Sequence, residues 1–249
     1  MSVYRMAVET DYRLIKGEEI SRQERTDLTA ALLRGVRPAA AHRPDGQRAL
    51  YPVFYVPEEP VKSLLNQTPK TKILAGNMYE LEILRMLCLL APDNEAVTKM
   101  RDETLRRLRN TCFGSEDDGV GECFDASLVV LRFLCAAAPQ ETEWIQNRID
   151  NYNRHAGEKK RPWFPLWYFW LCLSEMPLEL ALPEIEKHRP ELVKKLSRSY
   201  VMHSEHDRTV HPVVLCMLRN LMSRLPEYAY IRTRKPYVSQ KDGRLRLDL

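Results

Sequence analysis

The sequence predicts an all-α protein of stacked αα-hairpins, on three observations. First, a nine-residue apolar block occurs twice, Leu84-Arg-Met-Leu-Cys-Leu-Leu-Ala-Pro92 and Leu131-Arg-Phe-Leu-Cys-Ala-Ala-Ala-Pro139, 47 residues apart with six of nine positions identical. Second, each copy follows a glycine (Gly76, Gly121) and then an aromatic residue (Tyr79, Phe124) at nearly the same distance. Third, a polar run and an amphipathic stretch follow each closing proline: Val97, Met100, Leu105 and Leu108 in the first copy, Ile145, Ile149 and Tyr152 in the second. This is the spacing of one helix face. Each unit therefore reads as an apolar helix, a proline-marked turn and an amphipathic helix, and a lone hairpin of that kind needs neighbours to cover its apolar side.

The elements follow in chain order. Residues 1–75 read as an N-terminal cap. In it, Ser21-Arg-Gln-Glu24 is a capping box that opens a helix through Leu28, Ala31 and Leu32, stopped by Gly35 and Pro38. Arg43-Pro-Asp-Gly46 is a turn, and Tyr51-Pro-Val-Phe-Tyr-Val-Pro57 is a short extended segment whose prolines confine it to an edge or strap. A short helix is expected around Val61 to Leu65. Residues 76–226 hold about four hairpins. Phe169-Trp-Leu-Cys172 and Val213-Val-Leu-Cys216 are weaker copies of the block, so Cys88, Cys135, Cys172 and Cys216 recur at intervals of 47, 37 and 44. Residues 227–249 form a basic tail with six Lys or Arg against three acids.

In period and hairpin plan, residues 76–226 resemble the HEAT and armadillo class of helical repeats. The HEAT pattern of a proline within the first helix followed by an Asp/Arg pair is absent, because Pro92 and Pro139 lie between helices. The resemblance implies an α-solenoid. An α/α toroid, a closed ring of helix pairs, gives a similar local signature and is the alternative.

Composition excludes several classes. The 249 residues are 44% hydrophobic and 29% charged with a formal charge of +4, too balanced for wholesale disorder and too weakly basic to imply nucleic-acid binding alone. The most apolar run, Trp163 to Leu173, is far short of the roughly 20 residues that cross a bilayer, and Glu9 and Asp11 interrupt any signal-peptide core. A cytoplasmic protein with free thiols, no membrane contact and no cofactor is expected. No Cys-x-x-Cys pair provides a zinc or redox motif.

Four groups could carry function, each with a plainer structural reading. Register-matched Cys88, Cys135, Cys172 and Cys216 read as small core residues; Cys112 and Cys123 break that register and flank a Gly-rich acidic loop. That loop's Asp117, Asp118 and Glu122 suit a hard cation or acid/base chemistry, or form a solvated turn with Asp125 capping the next helix. His203, His206 and His211 are of metal-ligand type but lack His-Glu-x-x-His order, so they read equally as a polar loop before a helix starting near Thr209 to Pro212. Lys160, Arg161, Trp163, Phe164 and Trp167 belong to a basic and aromatic run that either stacks on a ligand or packs as a core helix.

Lys99, Arg101, Arg106, Arg107 and Arg109 with the basic tail could bind nucleic acid, or simply face solvent. Three functions are thus open: a scaffold for a protein or peptide partner, which needs no catalytic constellation; an α/α-toroid hydrolase or metal enzyme using the acidic loop or histidines; and a nucleic-acid binder.

Overall fold

A computed structural model of the chain describes residues 1–37, 53–55, 57, 59–115, 121–156 and 165–249. These are mostly helical. The helices are α1 (Val3–Lys16), α2 (Arg22–Arg34), α3 (Lys72–Leu90), α4 (Glu95–Leu108), the one-turn α5 (Cys112–Ser115), α6 (Gly121–Ala137), α7 (Thr142–His155), α8 (Pro165–Glu175), α9 (Leu178–Leu196) and α10 (Glu205–Met222). A 3-10 turn, Pro226–Ile231, and a small antiparallel pair, β1 (Tyr237–Val238) and β2 (Leu245–Arg246), complete the described chain.

Local chemistry sets many of the helix ends. Ser2, Ser21, Thr71, Asn94 and Ser204 each accept a hydrogen bond from a backbone N–H of the first turn that would otherwise lack a partner. Ser21 with Glu24 forms the expected reciprocal box, and Ser204 with Asp207 forms a second. Gly17 ends α1 in the left-handed region at φ 80°, and its N–H reaches back to the carbonyls of Arg13 and Leu14.

The helices pack in a closed cycle of contacts. α1 touches α3, α3 touches α6, α6 touches α8, α8 touches α10, and α10 returns to α1. α2, α4, α7 and α9 pack respectively on α1, α3, α6 and α8, and α9 also touches α10. Burial follows this division. α3 is buried on nearly every side beyond its first turn, while α4 and α7 bury only a stripe. Cys88, Cys135, Cys172 and Cys216 lie in α3, α6, α8 and α10 and all four are buried. Burial pushes the Cys88 thiol up to about 11 and raises the other three as well, so these thiols pack as small apolar residues.

Several sequence expectations change. α1, within the expected cap, packs between α3 and α10, and its apolar stripe Tyr4, Ala7 and Ile15 is interrupted by a buried Asp11. Val61 to Leu65 is a turn region rather than a helix: Asn66 takes φ 58°, its N–H donates to the Ser63 carbonyl, and the Ser63 N–H donates forward to the Gln67 carbonyl, opposite to the direction of helical bonds. Asp125 is one turn inside α6 and buried, because α6 starts at Gly121, so it is no cap. α10 starts at Glu205 rather than near Thr209, because Ser204 supplies the cap; His206 and His211 are therefore helical. Of the expected 50–57 segment, residues 53–55 and 57 are described, with no regular strand among them. Arg43 to Gly46 lies outside the described residues.

Gly114 fixes α5 between its neighbours. A Cβ there would stand 2.1 Å from the Leu108 carbonyl oxygen, and the Gly114 carbonyl accepts from Trp144 Nε1 at 2.6 Å. A Gly114→Ala substitution must displace backbone. We expect it to cost about 1–3 kcal/mol, the range of overpacked cores, as a lower urea midpoint at unchanged slope.

Candidate functional site

The contact cycle brings five ionisable side chains together. Arg132 on α6 is at their centre and is 1% exposed. Its Nη2 donates to Asp11 Oδ2 on α1 and to Glu175 Oε1 on α8, each at 2.7 Å; its Nη1 donates to both oxygens of Glu82 on α3 at 2.9 Å; its Nε donates to Glu175 Oε2 at 3.0 Å. Arg85, on α3, donates to Asp11 Oδ1 at 2.9 Å and pairs with Glu175 Oε2 at 2.8 Å. The Tyr168 hydroxyl donates to Glu82 Oε1 at 2.7 Å.

Burial alone would raise the Asp11 carboxyl, but the facing Arg132 and Arg85 guanidiniums more than offset it and hold the group below its ordinary value of 3.8. Burial likewise opposes the charge on both arginines, and the carboxylates around them win, raising both.

A cavity of about 290 Å³ opens beside this cluster. Its polar wall includes Asp11, Arg85, Glu175 and Asn220, and Leu14, Leu89 and Cys135 help form its apolar wall. Every one of these residues belongs to the C-terminal half of its own helix, so α1, α3, α6, α8 and α10 present the same end to the cavity. Helix C-termini carry partial negative charge. Cations from elsewhere already collect there. Arg219 donates to the Ile15 carbonyl at 3.2 Å, Arg25 to Leu89 at 3.3 Å, and Arg224 to Leu173 and Met176 at 2.6 and 2.7 Å. Ionised, Asp11, Glu82 and Glu175 outnumber Arg85 and Arg132 by one negative charge, and Glu175, its side chain 19% exposed, is the most open of the five.

A second buried pair ties the N-terminal segment to α3. Arg107 donates to Glu80 Oε2 at 2.6 Å and to Asn77 at 2.9 Å, while the backbone N–H groups of Val53 and Phe54 donate to Glu80 Oε1. Burial pushes the Glu80 carboxyl up despite these donors. The pair works as a clasp for residues 53 and 54.

Of the described residues expected to carry function, Cys135 lines the cavity, whereas Glu122, Trp167 and the three histidines do not. Glu122 is in the first turn of α6, 13 residues before Cys135, or roughly 20 Å along a helix. Asp117 and Asp118 lie outside the described residues, as do Lys160, Arg161, Trp163 and Phe164. Trp167 sits near the start of α8, edge-on to buried Trp170 at 5.1 Å, with Lys195 Nζ 5.2 Å from its ring.

The histidines have separate partners. His206 Nδ1 bonds Asn66 at 2.9 Å, His211 Nδ1 bonds the Val201 carbonyl at 2.8 Å, and His203 is exposed ahead of the Ser204 cap. Among the described residues no group of three or more His, Cys, Asp or Glu could hold a metal ion. The basic stretch on α4 is likewise divided: Arg107 is buried on Glu80, Arg101 pairs with Asp102, and Arg109 pairs with Glu141 over the Trp144 ring.

Arg132 and Arg85 were visible in the sequence as the same position of the repeated block, and a charge repeated inside an apolar block is the signal that points to them. Asp11, Glu82 and Glu175 carry a weaker version of that signal, as acids within otherwise apolar faces. No helix of the described residues is long and apolar enough to cross a membrane. No protein-family model, no curated protein and no solved structure matches this chain.

Removing Arg132 would take a guanidinium from three carboxylates and leave Arg85 as the cation facing Asp11 and Glu175. Arg132→Met is expected to destabilise the protein by about 3–5 kcal/mol, the cost of breaking a buried ion pair from one side, measured by chemical unfolding at neutral pH. Asp11 gives an independent signature. Its folded-state value is depressed, so its contribution is present above pH 3.8 and is lost as pH falls through the lower folded-state value. Asp11→Asn should therefore be less stable than wild type at neutral pH, and the gap should narrow on acidification.

Proposed function

We propose that the protein is a helical-repeat binding scaffold for a protein or peptide, with its first-in-hairpin helices closed into a ring in the manner of an α/α toroid. The ring's C-terminal mouth receives a basic group of the partner, a Lys or Arg side chain or a chain-terminal amine. One observation carries this reading: the cavity at the mouth faces an ion cluster with one carboxylate more than its guanidiniums, at the negative ends of five helices. The contact of α10 with α1 supports closure, since an open solenoid keeps its first and last units apart.

The same geometry favours binding over catalysis. All four oxygens of Asp11 and Glu175 already accept from a guanidinium, which leaves neither carboxylate poised to shuttle a proton. Spare lone pairs remain, because a carboxylate offers about four acceptor positions. An incoming ammonium or guanidinium could use them while Leu14, Leu89 and Cys135 cover its aliphatic stem.

A second reading rests on the C-terminal tail. Arg232, Lys235, Lys241 and Arg244 make no ion pair among the described residues, whereas Arg234 and Arg246 are paired with Asp248 and Asp242. Those four could contact phosphates of a nucleic acid. That reading requires oligonucleotide affinity to fall steeply with salt.

Lysine amide and arginine amide serve as probes of the mouth. At ten times its dissociation constant a ligand adds about 1.4 kcal/mol to stability, which for a chain of this size raises Tm by about 3–5 °C. We expect that rise in wild type, its loss in Ala136→Phe, which fills the cavity while keeping every residue of the ion cluster, and its weakening in Glu175→Gln. An equal rise in Ala136→Phe, or with acetamide in place of the amines, would sink the proposal.

A further inference from the structure

We propose that Cys112 and Cys123 form a redox-active dithiol site whose co-reactant is a small-molecule disulfide. The two sulfur atoms are 3.3 Å apart. They are the two cysteines outside the repeated register, and both are only partly buried while the other four are buried in helices of the contact cycle. A disulfide bond is about 2.05 Å long, so joining them requires the sulfurs to close by little more than an ångström, within reach of side-chain rotation.

Both thiols are held by anchored backbone. Cys112 opens α5, where the buried Phe113 ring, the Trp144 hydrogen bond to the Gly114 carbonyl and the Arg148 hydrogen bond to the Phe113 carbonyl fix the turn. Cys123 lies in the first turn of α6, and α5 packs directly on α6. Thiols held in contact by a folded frame react with each other as neighbours, so intramolecular closure outruns capture of a second small molecule.

The exchange balances without any other reagent. One protein thiolate attacks a sulfur of the small disulfide, forming a mixed disulfide and expelling one small thiolate, which takes up a proton. The second protein thiolate then attacks the protein sulfur of that mixed disulfide, forming the Cys112–Cys123 bond and expelling the other small thiolate. The protein dithiol is oxidised, the small disulfide is reduced to two thiols, and the two protein thiol protons end on those products.

The test uses the full chain. After treatment with cystamine, quenching by alkylation and digestion with trypsin, both cysteines fall on one peptide, Asn110 to Arg132, which contains no other cysteine. The expected product is that peptide lighter by two hydrogen atoms and unalkylated, with its two halves still joined after cleavage at Glu116 until a reductant is added. Cys123→Ser should instead retain the cysteamine adduct on Cys112. A doubly alkylated wild-type peptide, or a persistent cysteamine adduct on it, would overturn the dithiol site.

Discussion

The guanidinium of Arg132 is the constraint on which the rest of the structure depends. From α6 it binds carboxylates on α1, α3 and α8 at once, using all three of its nitrogens. A planar fork with fixed donor directions tolerates little rotation of any of those helices. Apolar packing alone would permit several registers between helices as uniformly hydrophobic as α3 and α8. The ion cluster selects one, because a shifted helix would leave a buried charge without its partner. The stabilisation such a cluster gives over an apolar core is small. Its effect here is to fix geometry.

From that register follows the position of the cavity. Arg85 and Arg132, equivalent in the repeated block, lie about one turn before the end of α3 and α6, and their acids lie near the ends of α1 and α8. The charged layer therefore forms next to the helix C-termini, where carbonyl groups lack intrahelical partners. Arg25, Arg219 and Arg224 satisfy several of those carbonyls from neighbouring elements. Arg219 and Asn220 also bond the Ile15 carbonyl, so the polar chemistry that caps α1 is the same chemistry that draws α10 against it. Cavity, charge excess and closure of the helix series are three results of one arrangement.

Much of the secondary structure is legible in local pattern, because helix caps and apolar periodicity act over a few residues. The Ser21 box, the Pro92 and Pro139 turns and the four buried cysteines are of this kind. Where two signals competed locally, the earlier cap prevailed: Ser204 started α10 about two turns before Pro212, which is tolerated inside the helix, and so placed His206 and His211 on a helix rather than a loop. The ion cluster was less legible. Asp11, Glu82 and Glu175 each look like an ordinary acid in a helical stretch, and they acquire meaning only beside Arg132, which lies 121, 50 and 43 residues away along the chain.

The sequence by itself determined that the chain is helical, where many of its turns fall, and which block repeats with a cysteine and an arginine in fixed positions, since propensity, capping and periodicity are properties of neighbouring residues. Only the tertiary structure decided that the repeated arginine faces acids from three other helices, that α1 and α10 meet, and that two cysteines flanking an acidic stretch touch. Each is a pairing between distant segments. Chain spacing does not encode such distances; packing in three dimensions creates them.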